Sequence, residues 1–269
     1  MDQHEAERGG PRLAGRGLRL GYDGRTVSDG LDVEIPDRSF TAIIGPNACG
    51  KSTLLRALAR LIKPETGHVV LDGQEITRFP SKEVARRLGL LPQSATAPDG
   101  ITVVDLVSRG RFPHQGAFRQ WSPEDEAAVT RALEATGVRE LADRHVDELS
   151  GGQRQRVWIS MVLAQDTPTL LLDEPTTFLD IVHQIEVLEL CRRLHRTGDY
   201  TLVAVLHDLN LAFRYADHVI MMRDGRVMAT GAPAEIVTAE RLDEVFGLKA
   251  RVIDDPVSGT PLVIPEAVQ

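Results

Sequence analysis

The chain of 269 residues is short of several things, and each shortage excludes a class of protein. It has two cysteines, Cys49 and Cys191, too few for a disulfide framework and compatible with a reducing compartment. It has no excess of positive charge: 31 Lys and Arg stand against 39 Asp and Glu, a net charge of −8, so nothing marks it as a nucleic-acid binder. No stretch approaches the ~18 consecutive apolar residues of a spanning helix, so if the protein works at a membrane, other chains do the spanning. The opening residues, MDQHEAERGGPR, lack the apolar centre of a secretory signal, and residues 1–11 are expected to form a disordered tail. There is no internal repeat and no long coiled-coil insert.

What is present is ordinary for a globular protein, 42% hydrophobic and 26% charged, and the length suits one large domain divided into lobes. Apolar β-type runs recur at Phe40–Ile44, Val69–Leu71, Leu170–Leu172, Leu202–Leu206 and Val219–Met222. Helical patterns cover 51–62, about 154–165 and about 182–196. Buried strands alternating with helices predict an α/β fold with a mainly parallel core sheet. Shorter alternating pieces with Gly/Asp turns in the first 75 residues predict an antiparallel β subdomain. Residues about 94–165 read as an inserted helical lobe within a domain spanning 12–248, and 249–269 as an extended, weakly periodic C-terminal extension.

One stretch carries chemistry outright. Gly45-Pro46-Asn47-Ala48-Cys49-Gly50-Lys51-Ser52-Thr53 matches the phosphate-binding pattern G-x-x-x-x-G-K-[ST], and it occurs once. It follows the apolar run Phe40–Ile44 and precedes a helical pattern with Leu54, Leu58, Leu61 and Ile62 on one face. A strand, a Gly-rich loop and a helix start are the arrangement in which backbone N–H groups cradle phosphates. Lys51 would reach the outer phosphates and the Ser52 hydroxyl would bind Mg²⁺. A nucleoside triphosphate is the implied ligand.

A phosphate loop alone serves kinases, GTPases and ATPases alike, so the reaction must come from what accompanies it. Leu149-Ser150-Gly151-Gly152-Gln153-Arg154-Gln155-Arg156 is a capping-box pattern opening a helix, with Ser150 and Gln153 as the box residues. The same residues resemble the LSGGQ signature of the ATP-binding cassette (ABC) family, and the resemblance runs from about Leu13 to Leu248. It implies that Ser150, Gly151, Gly152 and Gln153 complete the ATP site of a second copy in trans. Thr169-Leu170-Leu171-Leu172-Asp173-Glu174-Pro175 then resembles the Walker B strand, with Asp173 holding Mg²⁺ and Glu174 facing the attacking water. Asp180 lies in a segment similar to the D-loop, which communicates between paired subunits. His207 resembles the switch histidine that contacts the γ-phosphate, and Gln93 the Q-loop glutamine that senses Mg²⁺ and nucleotide. Tyr22 resembles the aromatic that stacks on adenine, with a place in the core as the alternative. One departure is visible: Ala48 stands where the family commonly has Gly.

The resemblance also implies partners. Two cassettes would clamp two ATP molecules at the cytoplasmic face of the membrane, docked on integral-membrane permease subunits that receive cargo from a substrate-binding lipoprotein. Ile101–Val107 and the following RGRFPHQGAFRQW, in the helical lobe, would meet the permease, unless they form a solvated basic loop. The segments RGRFPHQGAFRQWS, LDIVHQIEVLEL and VLHDLNLAFRYADHVIMMRDG resemble bacterial ferric-siderophore importer ATPases. Haem and cobalamin importers share HDLN, and a soluble cassette protein is a further alternative.

Overall fold

Leu13–Tyr22 (β1) and Arg25–Ile35 (β2) form an antiparallel ribbon, with Leu13 opposite Ile35 and Tyr22 opposite Arg25. The computed structural model describes residues 11–22, 24–116, 121–198 and 200–266. Ten of the eleven residues expected to form a disordered tail, 1–10, lie outside that set, as do 117–120 of the basic segment. Contacts divide the chain into two compact units, Met1–Arg78 with Thr201–Gln269, and Phe79–Tyr200.

In the first unit the ribbon is followed by β3 (Phe40–Ile44) and α1 (Lys51–Leu58). Then β4 (Thr66–Leu71) pairs with the free edge of β1, Leu13 opposite Leu71, and with β5 (Gln74–Glu75). The result is the antiparallel sheet β2-β1-β4-β5 foreseen in the first 75 residues. Helix α1 is four residues shorter than its 51–62 pattern. Arg60 takes a left-handed conformation (φ 60°), and the amides of Arg60 and Leu61 turn back to the carbonyls of Ala57 and Arg56. This double closure ends a helix, and it sends Leu61 into solvent instead of onto the apolar face.

The second unit opens with α2 (Ser81–Arg87), β6 (Leu88–Leu91), α3 (Val103–Ser108), α4 (Pro123–Ala135) and α5 (Gly151–Ala164). It closes with β7 (Thr169–Asp173) and α6 (Ile181–Gly198). β6 and β7 are parallel, from Leu88 opposite Thr169 to Leu91 opposite Leu172. Between residues 94 and 165 the described chain makes helices, turns and one isolated bridge, Thr102 to His145. Residues 109–114 are a 3₁₀ helix, and they approach α5 at backbone contact: a Cβ on Gly110 would lie 2.1 Å from the Met161 carbonyl oxygen. Arg111 is therefore not part of a solvated basic loop. It is buried, pairs with Asp125 at 2.9 Å and donates to the Ala164 carbonyl at 2.9 Å. Burial alone would raise the Asp125 carboxyl, but the hydrogen bonds from Arg111 and Ser122 outweigh it and hold it below the usual carboxylate range.

The chain returns to the first unit with β8 (Thr201–Val205), α7 (Leu209–Tyr215), β9 (His218–Arg223) and β10 (Arg226–Gly231). α8 (Pro233–Ile236), α9 (Ala239–Phe246), β11 (Ala250–Asp254) and β12 (Pro261–Pro265) follow. β3 lies between β8 and β9 and is parallel to both, with Ile43 opposite Val205 on one side and Ile220 on the other. Every residue of β3 and β8 is buried, as the unbroken apolar runs required of strands covered on both faces. β10 adds antiparallel to β9 through a two-residue turn, Asp224-Gly225, both with positive φ (47° and 74°), the geometry that suits a hairpin's twist. The C-terminal extension is not merely extended: β11 and β12 pair in full register, Ala250 opposite Pro265 and Asp254 opposite Pro261.

The Asp224-Gly225 turn fastens the sheet to the loop before α1. The Gly225 amide donates to the Cys49 carbonyl at 3.0 Å, and a Cβ on Gly225 would lie 1.9 Å from the Val27 carbonyl oxygen. Gly225→Ala therefore combines left-handed strain with a backbone clash, together about 2–4 kcal/mol. A fall in melting temperature of roughly 5–10 °C is expected, measurable by calorimetry.

Candidate functional site

The phosphate-loop pattern folds as a tight connection from β3 to α1. Gly45 lies so close to β9 that a Cβ would fall 2.2 Å from the Met222 carbonyl oxygen. Gly50 closes the loop with φ 105°, a conformation open to glycine, and caps α1 with no side-chain hydrogen bond. Helix starts need partners for their first amides, and one without a side-chain cap offers those amides to an anion. Lys51, only 5% exposed, donates from Nζ to the carbonyls of Gly45 (2.9 Å) and Pro46 (2.8 Å), which fixes its ammonium over the loop. Cys49 is buried in the same loop; burial raises its thiol above the ordinary value against the opposing pull of Lys51, so it stays protonated at neutral pH.

Ala48 has φ 60°. The departure from glycine therefore falls at a position where an L-residue is strained.

Two other residues singled out from the sequence belong to the same unit. Tyr22 ends β1 and is 41% exposed, so it is not a core tyrosine. His207 follows β8 at its carboxyl end, where the Leu206 amide still donates to Ile43 of β3 at 3.1 Å. Directly after it, Asp208 caps α7 by accepting from the Leu211 amide at 2.8 Å.

In the second unit, Asp173 ends β7 and is 2% exposed. Glu174 follows with φ 54°, another strained left-handed residue. The Gln93 side-chain amide donates to Glu174 Oε2 at 2.7 Å, and the Thr177 hydroxyl donates to the same oxygen at 3.0 Å. Gln93 and Glu174 are thus brought together, a contact that motif reading treated as two separate residues. Strand register makes the contact: Leu91 is opposite Leu172, and Gln93 and Glu174 each lie two positions beyond that pair. Thr177 was not foreseen as a partner of Glu174.

The signature residues open α5. Ser150 Oγ accepts from the Gln153 amide at 3.3 Å and Gln153 Oε1 accepts from the Ser150 amide at 3.1 Å, a complete capping box. The amides of Gly151 and Gly152 lie outside that exchange. Gly152 is in contact with the His183 ring, where a Cβ would come within 2.2 Å of Cδ2. His183 in turn bonds Asp180 Oδ1 through its ring Nδ1 (2.8 Å) and its amide (3.0 Å). These bonds, the amide first and the ring second, hold the Asp180 carboxyl below its ordinary range. His183 thus ties the signature glycine to the acid after Leu179, a link that sequence spacing does not reveal.

Among the described residues no cluster of three His, Cys, Asp or Glu forms a metal site, and no helix is long and apolar enough to cross a membrane.

The ABC transporter family matches residues 28–177. The chain is 63% identical to the ferric enterobactin transport ATP-binding protein FepC of Escherichia coli (strain K12), over 94% of both chains. It is 54% identical to the probable siderophore transport system ATP-binding protein YusV of Bacillus subtilis (strain 168), over 92% of this chain and 90% of that one. A metal-chelate type ABC transporter solved in an inward-facing conformation superposes with a TM-score of 0.82 at 27% identity, covering 96% of this chain and 98% of the other. The chain belongs to the ABC transporter family as an ATPase that binds and hydrolyses ATP.

Relief of the strain at Ala48 is open to measurement. Ala48→Gly removes about 1–2 kcal/mol of left-handed cost and returns about 0.4–1 kcal/mol as unfolded-chain entropy. The variant is expected to melt about 2 °C higher, whereas an unchanged or lower melting point would show that the loop does not strain its alanine.

Proposed function

We propose that the chain is the ATP-hydrolysing subunit of a bacterial importer that moves ferric siderophores across the cytoplasmic membrane. Two copies work together at its cytoplasmic face, docked on permease subunits that a substrate-binding lipoprotein supplies with cargo. The carrying observation is the 63% identity, over 94% of the chain, to a protein named for ferric enterobactin transport.

In this reading the amides from Gly45 to Thr53 and the Lys51 ammonium hold the phosphates, and the Tyr22 ring stacks on adenine, worth about 1–3 kcal/mol. Ser52, Asp173 and Gln93 would hold Mg²⁺. A hydroxyl, a carboxylate and an amide carbonyl are hard oxygen donors of the kind that ion takes together with substrate phosphates, and the Gln93 NH₂ is already given to Glu174. When bound, the ion offsets negative charge on the phosphates. Glu174 takes the proton of the attacking water, its carboxylate oriented by Gln93 and Thr177. His207 orients the γ-phosphate and that water. Ser150, Gly151, Gly152 and Gln153 complete the site of the second copy, and Asp180 relays between copies.

Glu174→Gln keeps size and hydrogen-bonding reach but removes the basic oxygen. Turnover should fall by about 10²–10⁴ while ATP stays bound, and a nucleotide-dependent dimer should accumulate on size exclusion with Mg-ATP. Ser150 replaced by a bulky charged residue should abolish hydrolysis and leave binding of a single ATP nearly intact; equal loss of both would sink the trans role.

For the cargo, deletion of the gene should impair growth on siderophore-bound iron, with rescue by excess inorganic iron. Intact siderophore use with blocked haem or cobalamin uptake would assign a different cargo.

A further inference from the structure

The mechanism above uses nothing beyond α9, yet the C-terminal hairpin is fastened to one helix by specific polar contacts. The Asn210 side-chain amide pairs with both backbone atoms of Val263 in β12: its Nδ2 donates to the carbonyl at 3.2 Å, and its Oδ1 accepts from the amide at 2.7 Å. A side chain here stands in for a neighbouring strand. Four residues on, and so on the same face of α7, Arg214 donates from Nε and Nη2 to Asp255 Oδ2 at 2.9 and 2.5 Å.

Asp255 is buried, and it also accepts from the Val257 amide at 2.9 Å and the Ser258 hydroxyl at 2.7 Å. The amide, the hydroxyl and the guanidinium, in that order, hold its carboxyl at about 2, so it is ionised at any pH at which the protein works. Val263 itself is buried.

The helix so gripped has seven residues, too few to be stable by itself. Its cap is Asp208, and the residue before the cap is His207. A tilt of α7 therefore passes to His207 through two peptide units with no flexible linker between.

We propose that the C-terminal hairpin is a brace for α7, and that Asn210, Arg214 and Asp255 are positioning residues that set His207 for hydrolysis. This rests on the assignment of His207 to the γ-phosphate and its water. The bonds of the brace join α7 to the hairpin and reach His207 along the chain, so the brace governs turnover and not nucleotide affinity.

The test uses the full chain with Asn210→Ala, with the nearly isosteric Asp255→Asn, and with His207→Ala alone and combined with each. ATP turnover, ATP affinity and melting temperature are measured for all. Each brace variant should lose roughly tenfold in kcat, short of the ~10²-fold that a 1 Å misplacement costs, with ATP affinity unchanged. In the His207→Ala background the same substitutions should cause no further loss of turnover, the non-additivity expected of residues acting through one group. Equal fold-losses with and without His207, or a lowered melting temperature with turnover intact, would overturn the brace and leave the hairpin a stabilising element only. Unchanged turnover in His207→Ala itself would overturn the assignment of His207, and the brace with it.

Discussion

Parallel pairing is the constraint on which the placement of the candidate site residues depends. In a parallel pair the carboxyl ends lie side by side, so residues far apart in sequence meet where the strands stop. β3 leads into the loop before α1, and His207 lies two residues past the end of its neighbour β8, with the Leu206 amide still bonded to Ile43. In the other unit β6 and β7 end together, and two residues past their last pair Gln93 meets Glu174 at 2.7 Å across 81 positions of sequence. An antiparallel arrangement of the same strands would put these residues at opposite ends.

That arrangement demands abrupt exits from the strands, and the backbone bears the strain. Ala48 and Glu174 both hold left-handed conformations without being glycine. Each costs about 1–2 kcal/mol, and such conformations persist only where their surroundings over-determine them. Here the surroundings are buried strands. Phe40, Ile43 and Ile44 of β3 are fully buried, and each side chain of that size contributes about 1.5–3 kcal/mol, enough to outweigh the strain of the loop that follows. Phe178, at φ 65° and 98% exposed, has no such cover, and nothing in the structure explains its conformation.

Much of this is legible in the sequence. Apolar runs of three to five residues marked the buried strands because strands covered on both faces cannot alternate, and Ser150 with Gln153 announced the start of α5 because capping is a local contest among neighbouring groups. Legibility failed where the decision was not local. The apolar pattern of α1 runs on to Ile62, but the chain closes the helix at Leu58 because Arg60 turns left-handed. Arg111 reads as one more cation of a basic segment, yet it is buried because Asp125 and the Ala164 carbonyl satisfy it from α4 and α5. The hairpin of residues 250–265 lacks a strong periodicity of its own, and its register shows only in the pairing of Ala250 with Pro265.

The sequence by itself determined the class of protein, the turn from β3 into α1, the capping box that opens α5 and the buried strand that ends at Asp173, because each depends on neighbours a few residues away. Tertiary structure alone decided the Gln93–Glu174 bond, the contact of Gly152 with the His183 ring, and the fastening of Asn210 and Arg214 to the C-terminal hairpin. Those contacts join residues 31 to 81 positions apart. No local propensity encodes them; strand register and helix packing do, and these are fixed only when the whole apolar surface is buried at once.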